Sequence, residues 1–124
     1  MNIVYIAAGG AAGSICRYGL SFYITERITG SFPWGTFSVN MLGSMFIGLL
    51  YGLLAINGVL DDKLRMLLFI GFLGGFTTFS SFALENLRLI QDGAYTTAFI
   101  YILSSNVTGL AAAFAGYWIG NALK

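Results

Sequence analysis

Thr77, Thr78, Ser80 and Ser81 set four hydroxyls within five residues, directly after the paired glycines Gly74 and Gly75 and among the rings of Phe76, Phe79 and Phe82. Hydroxyls donate hydrogen bonds to anions, and the edge of a phenyl ring carries the positive part of its quadrupole. Together they suit a small anion that gives up its water in stages. The same hydroxyls can cap a helix start, and paired glycines make a poor helix interior because their backbone entropy cost is large. The pattern predicts a helix broken over 74–78. Carbonyls released between Gly74 and Thr77 offer a second chemistry, holding a small cation as broken membrane helices do. Such a cation would be structural if two breaks met on a dimer axis.

Other polar residues lie apart from this stretch but are of types that could join it. Asn40 falls on a stripe with Thr36, Ser44 and Gly48 that recurs every four residues and so shares one helix face. An amide at membrane depth is costly unless it is bonded. Asn40 serves either as glue between helices or as a donor to a passing anion. Arg17 either snorkels to the nearer interface or stands as a fixed positive charge beside an anion route. Phe79, Phe82 and Asn86 share a face; Glu85, beside it, is the sole deep acidic residue or else an interfacial carboxylate near a helix end. Tyr101, Ser105 and Thr108, with Ser104 alongside, form a hydroxyl stripe suited to packing or to an ion.

Missing chemistry narrows the field. Histidine is absent and Cys16 is the single cysteine, which removes the commonest general base, an intrachain disulfide and a thiolate metal cluster. Cys16 reads as a small buried apolar residue. No nucleophile–base pair or phosphate-binding loop is present, so an enzyme is not expected. A net charge of +1 gives no electrostatic case for nucleic acid.

These residues must be positioned by membrane helices. The chain is 57% hydrophobic and 9% charged, where soluble domains carry about a quarter charged residues. Mean hydropathy is +0.80. We expect one all-α membrane domain over 1–124 with spans at about 3–25, 34–56, 64–90 and 95–122. The third would be about 40 Å long if unbroken, beyond the ~30 Å hydrocarbon core, and the break divides it into two half-helices. Gly30, Ser31 and Pro33 interrupt the chain before Trp34, an interfacial residue; 57–63 and 91–94 form the other loops. Small residues four apart, Gly9 with Gly13, Gly10 with Ser14, Gly48 with Gly52, and Ala112 with Gly116 and Gly120, let helix backbones approach closely. Residues 1–8 lack the basic region of a signal peptide, so none is expected.

Four spans put both termini on one side. Lys63, Arg65 and Lys124 lie on that side and Arg27 and Arg88 on the other, so the positive-inside rule barely chooses an orientation. A near tie is what a chain inserted both ways would show, and opposite copies can pair as an antiparallel two-fold dimer. Four thin, glycine-rich helices hardly enclose a polar route; two copies can.

The stretch Gly10 to Tyr18 (Gly-Ala-Ala-Gly-Ser-Ile-Cys-Arg-Tyr) resembles the first-helix motif of the Fluc (CrcB-type) fluoride channels. Gly35-Thr36 followed by Asn40 and Gly43 looks like their second-helix motif, and Gly71 to Phe82 (Gly-Phe-Leu-Gly-Gly-Phe-Thr-Thr-Phe-Ser-Ser-Phe) is similar to their third-helix signature. The likeness covers the whole chain. It implies a dual-topology homodimer of antiparallel subunits with two fluoride pores, and a structural sodium ion at the dimer centre on the main-chain carbonyls of Gly74 and Thr77. It implies that Phe79 and Phe82 present ring edges along the pores, with Asn40 as a pore amide. Ser80, Ser81, Tyr101 and Ser105 resemble the family's polar track, Glu85 its third-helix carboxylate and Arg17 its first-helix arginine near a vestibule. Many members have Thr where this chain has Ser81, which keeps the hydroxyl.

The resemblance further implies passive export of cytoplasmic fluoride across the plasma (inner) membrane of a microbe. Hydrofluoric acid enters from acidic surroundings and dissociates, and the trapped fluoride leaves down the membrane potential, reducing its toxicity. Two rivals stand beside this reading. A small proton-coupled multidrug exporter needs a carboxylate in its first helix, where this chain has only Arg17 at depth. A non-transporting packing subunit would use the small-residue ladders but leave the hydroxyl-rich break unexplained.

Overall fold

The computed structural model describes residues 2–55 and 61–123. Helices are the only regular elements among them: α1 (Asn2–Arg27), α2 (Trp34–Leu50, continued by a wider π-type turn over Tyr51–Ala55), α3 (Asp62–Arg65, Met66–Leu73 and Gly74–Phe76 in succession, the middle part π-type), α4 (Phe79–Gln91) and α5 (Tyr95–Leu123). Among the described residues four stretches are long and apolar enough to cross a membrane, Asn2–Arg27, Trp34–Leu54, Asp62–Gln91 and Tyr95–Leu123. The expected end of the second span at Ile56, and loop residues 57–60, lie outside the described residues. Helix α3 begins earlier than expected, because the Asp61 side chain accepts the Leu64 N–H at 2.8 Å and caps it, drawing Lys63 out of the loop.

The ends of the other helices follow from local chemistry. Arg27 closes α1, its guanidinium 3.6 Å from the Tyr23 ring centroid. After α4 the chain turns in a Schellman motif: Ala94 N–H reaches the Leu89 carbonyl at 2.8 Å, Gly93 N–H reaches Ile90 at 3.1 Å, and Gly93 takes φ +79°. That turn reverses the chain within three residues and lays α5 back along the bundle.

Two helix pairs make the most extensive contacts, α2 with α5 and α1 with α3. Both are glycine contacts. A Cβ on Gly48 would overlap the Ala113 carbonyl oxygen and one on Gly116 that of Met45, while Gly9 and Gly13 stand against the Leu67 and Phe72 carbonyls. Backbones this close gain dispersion contacts that larger side chains would forbid. Little else is covered: Val39 and Tyr101 are the largest fully buried side chains among the described residues, and much of the surface is Ile, Leu, Phe and Val. An exterior of this kind suits hydrocarbon rather than water. Cys16, expected to be buried, is exposed on α1; a small apolar thiol needs no covering where the solvent is lipid.

Candidate functional site

Two residues, Thr77 and Thr78, leave the helical conformation between α3 and α4, with φ/ψ of −88°/155° and −147°/123°. The interruption is narrower than the expected 74–78, since Gly74–Phe76 remain helical. The glycines do not unwind here. Gly75 brings α3 against α1, where a Cβ on it would lie 2.6 Å from the Gly10 carbonyl oxygen, and Gly74 faces the other way. The β-branched threonines take the extended backbone that suits them.

Several groups near the break have specific partners. The Thr77 N–H and hydroxyl both donate to the Leu73 carbonyl, at 3.0 and 2.9 Å. Thr78 N–H donates to Asn40 Oδ1 at 2.9 Å, and Asn40 Nδ2 donates back to the Thr78 carbonyl at 3.1 Å. The Thr78 hydroxyl accepts the Ser81 N–H at 3.2 Å, capping α4, and lies 3.4 Å from the Ser80 hydroxyl. Arg17 Nε donates to the Gly75 carbonyl at 3.0 Å.

The break separates two cavities. A groove of about 440 Å³ is lined by Asn40, Gly74, Thr77, Thr78, Phe79, Phe82 and Ser105 among others. A smaller pocket of about 220 Å³ brings Arg17, Ser81 and Glu85 together with Ser21, Thr36 and Thr78. Thr78 borders both. The residues expected to form one polar track are therefore divided within the chain. Ser105 faces the groove, Ser81 the pocket, and Ser80 is exposed and lines neither.

Tyr101 lines neither cavity either. It is fully buried and joins the two. Its hydroxyl donates to Glu85 Oε1 at 2.8 Å on the pocket side, and its ring lies 4.9 Å from that of Phe82 on the groove side. Phe79 continues the row, 5.5 Å from Phe82, and is 79% exposed. Phe32, from the α1–α2 loop, meets the Tyr101 ring edge-on at 5.3 Å.

Thr36 and Asn86 were not singled out as site residues by sequence reasoning. Buried Thr36 donates to Glu85 Oε2 at 2.7 Å, so both carboxylate oxygens are bonded. The signal lay in the four-residue stripe: Thr36 and Asn40 on one face of α2 meet Glu85 and Thr78 in reverse order, as antiparallel neighbours must. Asn86 shares a helix face with Phe79 and Phe82, yet it is buried; its Nδ2 donates to the Phe82 carbonyl at 3.0 Å.

A carbonyl cation site is compatible with this backbone. In an unbroken helix Gly74 and Thr77 carbonyls would accept from Thr78 and Ser81 N–H, but those donors are taken by Asn40 and by the Thr78 hydroxyl. Uncharged carbonyl oxygens so released suit a hard cation of low charge. Among the described residues no group of three or more His, Cys, Asp or Glu side chains gathers to offer a different metal site.

The profile of the family described as CrcB-like protein, Camphor Resistance (CrcB), matches residues 4–117. A fluoride-specific ion channel FluC of Thermus thermophilus is 46% identical over 118 residues, covering 95% of this chain and 92% of that protein. The protein of the same name from Agrobacterium fabrum is 44% identical over 123 residues, 99% and 98% of the two chains, and that from Magnetococcus marinus 42% identical over 120 residues, 97% and 98%.

Proposed function

The chain belongs to the CrcB-like protein family, Camphor Resistance (CrcB), and on that premise we propose that it is a fluoride-specific ion channel, a multi-pass protein of a bacterial membrane that lets cytoplasmic fluoride out passively. The observation that carries the reading is the break clamped open by Asn40 beside the rings of Phe79 and Phe82. In this reading the protein conducts an ion and performs no catalytic step.

The functional unit in this reading is an antiparallel homodimer in the plasma (inner) membrane, each chain acting as a single membrane domain. The groove residues of one copy then face those of the other, and the exposed ring of Phe79 becomes part of a wall. Main-chain carbonyls of Gly74 and Thr77 from both copies would hold a sodium ion, which supplies positive charge that ties the two breaks together.

This chain's own residues would carry fluoride as follows. Arg17 and Ser81 in the smaller pocket attract the hydrated ion and begin to replace its water. Ring edges of Phe79 and Phe82 offer positive quadrupole charge without a strong bond that would trap the ion. Ser105, Ser80 and the Asn40 N–H not engaged by Thr78 supply further donors. Glu85, bonded by Thr36 and Tyr101, holds Tyr101 and through its ring holds Phe82. Transport needs no coupling energy, because a potential of 100 mV, negative inside, is worth about 2.3 kcal/mol per fluoride expelled.

The test is efflux from potassium fluoride-loaded proteoliposomes, followed with a fluoride electrode after a potassium ionophore is added. Fast fluoride loss with negligible chloride loss from matched vesicles is expected. No fluoride loss from folded, dimeric protein would overturn the reading.

A further inference from the structure

The break deprives four carbonyls of their helical donors, those of Gly74, Gly75, Phe76 and Thr77, since the N–H groups of residues 78–81 no longer lie one turn above them. One of the four is taken by a charged side chain. Arg17 Nε, 58 residues away in sequence, donates to the Gly75 carbonyl at 3.0 Å. Gly74 and Thr77, on either side of it, line the opposite cavity.

The two helices are built to bring Arg17 to this carbonyl. Gly75 has no room for a side chain, because a Cβ there would stand 2.6 Å from the Gly10 carbonyl oxygen and 3.2 Å from the Ser14 hydroxyl. Gly71, one turn earlier, is also close, its Cβ position 2.9 Å from the Ile6 carbonyl oxygen. On the far face Gly74 is open, with nothing nearer than 3.9 Å. The last turn of α3 is therefore pressed against α1 on one side and held there by a hydrogen bond whose donor is a charged guanidinium.

We propose that Arg17 is a positioning residue for the cation site: by holding the Gly75 carbonyl toward α1 it fixes the rotation of the Gly74–Thr77 turn and leaves the Gly74 and Thr77 carbonyls turned to the groove. The proposal rests on the sodium reading above and gives Arg17 a task distinct from attracting fluoride.

The experiment is thermal unfolding of the full-length protein in detergent, with sodium chloride replaced stepwise by choline chloride at constant ionic strength. The wild-type midpoint should rise with sodium, and Arg17→Gln should need about tenfold more sodium for half of that rise, the loss expected for a charged hydrogen bond. Arg17→Lys, which keeps the charge but not the planar fork, should shift the same way by less. Fluoride efflux through Arg17→Gln should rise with sodium yet stay below wild type, because sodium restores the turn and not the charge that attracts fluoride. The control Arg27→Gln, at the exposed end of α1, should leave the sodium requirement unchanged. Equal sodium requirements in wild type and both Arg17 variants would overturn the proposal while sparing the sodium reading. If Arg17→Gln does not fold, a requirement within about twofold of wild type in Arg17→Lys overturns it alone. No sodium dependence in wild type would overturn both.

Discussion

Asn40 and Thr78 form a closed pair: the amide oxygen of one accepts the backbone N–H of the other at 2.9 Å, and the amide nitrogen donates to its carbonyl at 3.1 Å. An Asn side chain thus takes the place of a neighbouring strand for a single extended residue. Asn40→Ala removes both bonds and leaves a part-buried backbone donor and acceptor without these partners. We expect a loss of about 1–3 kcal/mol of stability and a strong fall in fluoride flux. Thermal unfolding and vesicle efflux measured on the same preparation check this; a variant with wild-type flux would show that the clamp is dispensable.

Phe79 and Phe82 should separate flux from stability. Phe79 is 79% exposed in the single chain, so Phe79→Ile is expected to change monomer packing little. Phe82 packs on the buried Tyr101 ring, and Phe82→Ile should cost about 1 kcal/mol or more. Both should strongly lower fluoride flux while the dimer still assembles. Gel filtration followed by efflux distinguishes the two effects, and unchanged flux in both variants would remove the ring-edge role.

Tyr101→Phe keeps the ring against Phe82 and Phe32 but deletes the 2.8 Å bond to Glu85. One carboxylate oxygen then keeps Thr36 while the other loses its donor. Hydrogen bonds between membrane helices average about 0.6 kcal/mol, so the fold should survive. Flux should fall, because Glu85 is no longer tethered beside Arg17 in the smaller pocket. Thr36→Val tests the other oxygen, and efflux equal to wild type in both would show that Glu85 needs neither donor.

Glycine substitutions in α1 should divide sharply by position. A Cβ on Gly13 would overlap the Phe72 carbonyl oxygen, so Gly13→Ala must push α1 off α3 and is expected to prevent assembly of folded protein. Gly19, on the same helix, has nothing within 4 Å. Gly19→Ala should be neutral or stabilising by up to about 1 kcal/mol, since alanine favours a helix over glycine. Yield and monodispersity after detergent extraction report both outcomes.

Membrane class and the number of spans were legible in the residues alone. Long apolar runs broken by Gly30, Pro33 and Gly93 leave little choice, because a backbone in hydrocarbon must satisfy its own hydrogen bonds. The close-packing faces were legible too, since glycines four apart can only line a single helix stripe. The hydroxyl cluster at Thr77 to Ser81 marked where to look, and the extended residues fall inside it.

Tertiary structure decided which groups meet. Gly74 and Gly75 read as the place where the helix unwinds, yet only Thr77 and Thr78 do so; both glycines stay helical, and Gly75 is used for contact with α1. Nothing local says that Arg17 will find the Gly75 carbonyl, that Asn40 will close on Thr78, or that Thr36 and Tyr101 will share the carboxylate of Glu85. Those pairings join residues 16 to 58 positions apart. They depend on the depth at which one helix slides past another, which is set by backbone collisions at Gly9, Gly13, Gly48 and Gly116 and by no property of the paired residues themselves.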